Sequence, residues 1–187
     1  MSEAVNFHFS VDGEDFSSAG QASVSVKKNL RQLGISPETI RKVSIAMYEG
    51  EINMVIHAGG GSADVTVYED RIEISLDDHG PGIPNVELAM QEGYSTAPDN
   101  IRSLGFGAGM GLPNMKRYTD SMKIESELGK GTRILLQNRA NGYYRVRLKI
   151  PLAWQARYWQ CPDLGRSDRS LSDPRRSKHT PHRRLHG

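Results

Sequence analysis

The window from Ser36 to His57, SPETIRKVSIAMYEGEINMVIH, narrows what this chain can fold into more than any other. Serine followed by proline is a helix start: Ser36 can cap orphan N–H groups, and Pro37 presets φ for the first helical position. Val43, Ile45, Met47, Ile52, Val55 and Ile56 then cover most of the cylinder, so this helix belongs inside a core rather than on its surface. Glu49, Asn53 and His57 break the apolar cover. At 100° per residue they fall within roughly 80° of arc, a single polar stripe. A carboxylate and an amide on a largely buried helix cost free energy unless they have partners. Two readings stand. The stripe is a solvated or hydrogen-bonded helix face, or Glu49 is a general base beside an amide oxygen of Asn53 that reaches a metal. His57 at the helix end orients Glu49 or a ligand, or makes a helix-end hydrogen bond. Glu51 lies roughly 200° away from Glu49 and cannot share its task. Gly50, at mid-helix, costs roughly 1 kcal/mol relative to Ala and points to tight packing against a neighbouring element.

Elements that could surround such a helix follow from the period of the apolar residues. Residues 5–11 (VNFHFSV) alternate like an edge strand. Residues 17–33 read as a helix, with Ala19, Ala22, Val26 and Leu30 at three- and four-residue spacing and Gly34 as its stop. Past the glycines at 59–61, residues 63–68 and 71–76 are β-like and joined by Glu69-Asp70. The stretch 77–111 is rich in Gly, Pro, Asp and Ser, with one short helix at 86–92. An irregular run of that length inside a domain is the mark of a functional loop. A helix over 112–120, strands at 122–126 and 132–137, a hairpin turn at Asn141-Gly142 and a final strand at 144–150 complete the reading.

Charge is uneven along the chain. From residue 151 to the end, eight Lys/Arg face three Asp/Glu, whereas the first 150 residues carry 16 against 19. The basic balance therefore belongs to the tail, and the acidic remainder argues against nucleic acid as the partner of the folded part. The tail has little aliphatic content and reads as a disordered basic extension, a segment from a non-native reading frame, or a tail that meets an anionic surface. No apolar run is long enough for a membrane span, and the first residues lack the pattern of a secretory signal. The lone Cys161 cannot form an internal disulfide, which fits a cytoplasmic setting.

Two further motifs carry chemistry. Asp77-Asp78-His79-Gly80-Pro81-Gly82-Ile83 follows a β run. An aspartate there, with glycines two and four residues on, can accept from a ligand amino group while backbone approaches the same ligand; the pattern also describes an ordinary turn. Gly105-Phe106-Gly107-Ala108-Gly109-Met110-Gly111-Leu112-Pro113-Asn114 matches neither the dinucleotide fingerprint nor a Walker loop. It runs into a helix start whose free N–H groups suit an anion; low-complexity glycine is the alternative.

Together and in order, these motifs resemble the GHKL (Bergerat-fold) ATP-binding superfamily, which includes chaperone and gyrase B-type ATPases, MutL, sensor histidine kinases and anti-sigma serine kinases. Glu49-x-x-x-Asn53 is similar to its N box, Asp78-x-Gly80-x-Gly82 to its first glycine box, and Gly107-x-Gly109-x-Gly111 to its second. Gly131-Thr132 is similar to its late Gly-Thr. The resemblance runs from about residue 36 to 136. It implies an α+β two-layer sandwich, a mixed and mostly antiparallel sheet covered on one face by helices, with the ATP-binding kinase domain in 1–150 and the tail in 151–187.

The stretches Glu92-Gly93-Tyr94-Ser95-Thr96 and Gly111-Leu112-Pro113-Asn114-Met115-Lys116-Arg117 resemble stand-alone anti-sigma and stress-switch serine/threonine kinases most. That resemblance implies the following roles. Asp78 accepts from the adenine amino group, with Thr132, whose hydroxyl joins the adenine site, supporting it directly or through a water. Asn53 gives an oxygen to Mg²⁺, Glu49 takes the proton from a seryl or threonyl hydroxyl, and Gly80 and Gly82 let backbone approach the nucleotide that Asp78 holds. Gly105, a lid hinge, Gly107, Gly109, Met110, Gly111 and Leu112 meet the phosphates, and residues 93–106 form a lid over ATP. The implied partner is a small protein of the anti-sigma-antagonist (STAS) type, with a sigma factor as a further partner, no membrane, and homodimerisation left open. An ATPase switch in which Glu49 activates water, or a nucleotide-gated module that sequesters a regulator, are the rival readings.

Overall fold

The structure, a computed structural model, describes residues 4–14 and 16–140. The expected turn at Asn141-Gly142, the strand over 144–150, Cys161 and the tail 151–187 lie outside these residues. Among the described residues, no helix is long and apolar enough to cross a membrane.

Ser36 caps the central helix α2 (Pro37–Ala58) as its sequence predicts: its side chain accepts from the Thr39 N–H, and Gly59 ends the helix in the left-handed conformation. Strands β1 (Val5–Asp12), β2 (Gly60–Val67), β3 (Arg71–Asp77), β4 (Ser121–Glu127) and β5 (Gly131–Arg139) form one sheet in the order β1-β2-β3-β5-β4. Every described pairing is antiparallel, where a mixed and mostly antiparallel sheet was expected. The reason is the connection: α1 (Gln21–Gln32) and α2 make an out-and-back excursion, so β2 begins opposite the end of β1, with Asp12 paired to Gly60. An even number of helices between neighbouring strands returns the chain to the end it left.

Alternation along the strands then decides the layers. Val65, Ile72, Ile74 and Leu136 point into the core with Val26, Leu30, Val43, Met47 and Met115 from the helices. Each such side chain contributes about 1.5–3 kcal/mol over leaving it in water. The other face of the sheet carries polar pairs such as His8 with Asp64 and Arg133 with Asp77, which solvent screens and which add little. Gly50 sits where α2 presses on the sheet. A Cβ there would collide with the Leu76 side chain and crowd Met115, so the mid-helix glycine is the condition for close approach.

Helix α1 begins at Gln21 rather than at 17, because Gly20 adopts a left-handed φ of 96° and residues 16–18 form a short 3-10 turn. Gly20 has no side chain to cap the helix. Glu51 does it from α2: its two carboxylate oxygens accept from the N–H groups of Ala22 and Ser23, both at 3.0 Å. Glu51 is 2% exposed, and a carboxylate at a helix N-terminus meets the positive end of the macrodipole. The residue excluded from the polar stripe thus holds α1 on α2. Glu51→Gln turns one acceptor into a donor facing an N–H group; the expected loss is about 1–3 kcal/mol, read from urea unfolding midpoints.

The stretch 77–111 is more structured than its composition suggests, with helices α3 (Val86–Ala89) and α4 (Asp99–Ser103). Helix α5 (Gly111–Arg117) starts one residue before the expected position and ends three residues early.

Candidate functional site

Eleven of the twelve residues to which the resemblance gives a catalytic or nucleotide-binding role line one cleft of about 800 Å³; Gly80 is the exception. Such a volume suits a ligand of nucleotide size. Helix α2 forms the floor with Glu49, Asn53 and His57. The loop after β3 supplies Asp78 and Gly82, and β5 supplies Thr132. The chain from Gly105 into α5 closes the opposite wall.

Asp78 is fixed by its own turn. Its Oδ1 accepts from the Gly80 N–H at 2.9 Å and from the Thr132 N–H at 3.1 Å, which leaves Oδ2 for another donor. Thr132 thus reaches Asp78 directly through its backbone N–H, and its hydroxyl lies 2.9 Å from the Ser126 hydroxyl. Ser126 also accepts from the Ile83 N–H at 2.8 Å, so the loop after β3 is tied to the β4–β5 hairpin. Gly80 packs against Ala58 at the end of α2, and Gly82 against the backbone of Glu127 and Leu128. Both hold the loop that presents Asp78.

Asn53 faces the start of α5. Its Nδ2 points to the Met115 sulfur at 4.0 Å, and no described donor reaches its Oδ1. A free amide oxygen in a cleft is a ligand type that a hard cation accepts. Gly111, the first residue of α5, lies so close that a Cβ there would stand 2.9 Å from Asn53 Oδ1 and 3.0 Å from Nδ2. Pro113 has no N–H, so the free donors at this helix start belong to Gly111 and Leu112. Among the described residues no cluster of three or more His, Cys, Asp or Glu side chains could hold a metal ion. A cation here would take its other ligands from a bound phosphate chain or water.

Glu49 is half-buried, and its Oε1 accepts from Asn114 Nδ2 at 2.7 Å. His57 makes no hydrogen bond to Glu49 or to any other described residue. Desolvation in the cleft lowers its pKa from the ordinary 6.5, against the opposing charge of Asp78.

Residues 93–110 form the outer wall. Gly93 donates to the Gly109 carbonyl at 3.0 Å, and Arg102 to the Ser95 carbonyl at 2.8 Å. Gly107 packs on Ala97, Gly109 on the backbone of Gly93 and Tyr94, and Gly105 has open space around its Cα. Phe106 meets Phe16 edge to face, with ring centroids 5.0 Å apart. Asn114, Ser126 and Phe16 do not line the cleft but hold residues that do, and that role was not legible in the sequence. The one available signal was an amide in the first turn of a helix that starts at a glycine box.

The profile of the histidine kinase-, DNA gyrase B- and HSP90-like ATPases matches residues 39–142. An anti-sigma F factor of Clostridium acetobutylicum is 37% identical over 123 residues, 63% of this chain and 82% of that protein. The serine/threonine-protein kinase RsbT of Bacillus subtilis is 32% identical over 108 residues, 56% of this chain and 75% of that protein. Among solved structures, the RsbU and RsbW domains of a Mycobacterium tuberculosis protein superpose with a TM-score of 0.51 at 16% identity. That match covers 72% of this chain and 32% of the other, and it shows a shared fold.

Proposed function

This chain belongs to the family of histidine kinase-, DNA gyrase B- and HSP90-like ATPases, and from that membership we propose that it is a Mg-ATP-dependent serine/threonine protein kinase of the anti-sigma or stress-switch type. One observation carries the reading: Glu49 and Asn53 share a face of α2 in the same cleft as Asp78 and the start of α5. Similarity to the anti-sigma F factors and to the kinase RsbT supports a protein hydroxyl as acceptor.

Asp78 Oδ2 accepts from the exocyclic amino group of adenine, the one donor of that edge that distinguishes it from a carbonyl-bearing base. The N–H groups of Gly111 and Leu112 donate to phosphate oxygens, and Asn53 Oδ1 is the protein's ligand to Mg²⁺. When bound, Mg²⁺ supplies neutralisation of phosphate charge. Glu49 Oε2 takes the proton of a seryl or threonyl hydroxyl as its oxygen bonds to the γ-phosphorus. The bond from that phosphorus to the bridging oxygen breaks, and ADP leaves with the electron pair. Little else is needed, because phosphoryl transfer is mostly positioning and charge stabilisation.

The acceptor is a small partner of the anti-sigma-antagonist (STAS) type, with a sigma factor as a further partner. Incubation with Mg-ATP and STAS-domain proteins, followed by mass spectrometry of the partner, should find one phosphoryl group on a serine or threonine. A partner that stays unmodified while ATP is hydrolysed would replace this reading with an ATPase switch. Binding of ATP without either reaction would leave a nucleotide-gated module.

The site's tightest contact gives a further prediction. Gly111→Ala forces the Asn53 side chain to move, and a displacement of that order lowers the transfer rate by about 10–100-fold. Circular dichroism of the variant should match the wild type, because the methyl group meets a side chain and not the sheet.

A further inference from the structure

The geometry points to Asn114 as a positioning residue that holds Glu49 in its reactive orientation and makes that orientation depend on α5. The inference rests on the reading of Glu49 as the base. Asn114 and Glu49 are 65 positions apart in sequence, on different helices, and meet at 2.7 Å between Nδ2 and Oε1. A bond to an ionised acceptor is shorter and stronger than one between neutral groups. Among the described residues, no other donor reaches either oxygen of Glu49. A free glutamate side chain would have rotamer freedom to lose each time it reacts. One bond at Oε1 removes much of that freedom and leaves Oε2 to take a proton.

The chemistry of the donor matters as much as its position. A lysine or arginine here would pair with the carboxylate and make it a poorer proton acceptor. A neutral amide orients the carboxylate without an opposing charge, and it has no proton of its own to exchange with substrate near neutral pH. Asn114 also rides on the helix whose first residues, Gly111 and Leu112, line the cleft and are the proposed phosphate donors. Its neighbour Met115 is fully buried against α2, so α5 is anchored at this point. Base and phosphate donors are therefore set by one rigid element. If α5 shifts, the base turns away as the phosphate contacts are lost.

The test is a double-mutant cycle on single-turnover transfer at saturating Mg-ATP, with Asn114→Ala, Glu49→Ala and both. Asn114→Ala should slow transfer roughly 10–100-fold while the dissociation constant for ATP stays within about twofold. In the Glu49→Ala background the same change should have almost no effect, because an orienting contact has nothing left to orient. Asn114→Asp keeps shape and volume but removes the donor, and should be at least as slow as Asn114→Ala. A packing role would leave Asn114→Asp near the wild type. If Asn114→Ala fails to fold, as shown by urea unfolding, Asn114→Asp carries the cycle. Without nucleotide, the Asn114 side-chain amide resonances should shift in Glu49→Ala, and resonances that stay put would overturn the contact. Losses that multiply independently, or an Asn114→Ala enzyme with wild-type transfer beside a slow Glu49→Ala, overturn this inference alone. A fast Glu49→Ala enzyme overturns both it and the assignment of the base.

Discussion

Glu49→Ala should slow phosphoryl transfer by about 10²–10⁴-fold, the usual loss on removing a positioned general base. Its ATP affinity should change little. The side chain sits in the cleft with a single described partner, Asn114, and the nucleotide contacts proposed above belong to Asp78, Asn53 and the start of α5. Stability should also hold, because Glu49 is half-buried and makes none of the contacts that fix α1 to α2. Glu49→Gln is the sharper variant: it keeps the shape and the hydrogen bond to Asn114 but accepts no proton at neutral pH. Equal losses in the two variants identify proton transfer as the missing step. Transfer that persists in Glu49→Gln and falls in Glu49→Ala would instead make the residue a spacer.

Asp78→Asn should raise the dissociation constant for ATP on the order of 100-fold. Asparagine can keep Oδ1 on the N–H groups of Gly80 and Thr132, so the loop stays folded. The second position then becomes Nδ2, a donor where the proposed pose places the donor amino group of adenine. A hydrogen bond to a charged acceptor contributes about 1.5–3 kcal/mol, and each 1.4 kcal/mol is about tenfold in affinity. The same logic reverses for inosine triphosphate, whose base carries a carbonyl where adenine carries the amino group. Its binding should suffer less from the substitution, so the ratio of the two affinities should move toward inosine. Equal losses for both would mean that the turn had collapsed, and no loss would place the base elsewhere. Calorimetry on the wild type and Asp78→Asn with both nucleotides measures all four values.

Much of the candidate site, as a set of residues sharing one cleft, was legible because its residues obey local rules. Glu49 and Asn53 fall on one face of α2 by helical period alone, and Ser36-Pro37 fixes where that helix begins. Strands β2, β3 and β5 follow from alternation. Gly50 also signalled its role, since a glycine inside a strongly apolar helix has few reasons to be there apart from the approach of Leu76. What was not legible depends on partners distant in sequence. The start of α1 moved to Gln21 because its cap is a carboxylate from another helix, and no local pattern around residue 20 announces Glu51. Helix α4 is a single short turn without a period to detect, opened by Pro98 and not by a capping side chain. The glycines of the first box were read as letting backbone approach a ligand; Gly82 lines the cleft, and both also pack within the chain, Gly80 on Ala58 and Gly82 on the β4–β5 turn. A short sequence motif does not distinguish close approach to a ligand from close approach to another part of the chain.

The most direct test of the central claim follows the γ-phosphoryl group itself. With γ-labelled ATP, Mg²⁺ and a STAS-domain partner, the partition of label between partner and free phosphate should favour the partner strongly, one label per partner molecule. Omitting the partner should leave ATP almost untouched. Label that appears as free phosphate at the same rate with and without a protein acceptor would contradict the account.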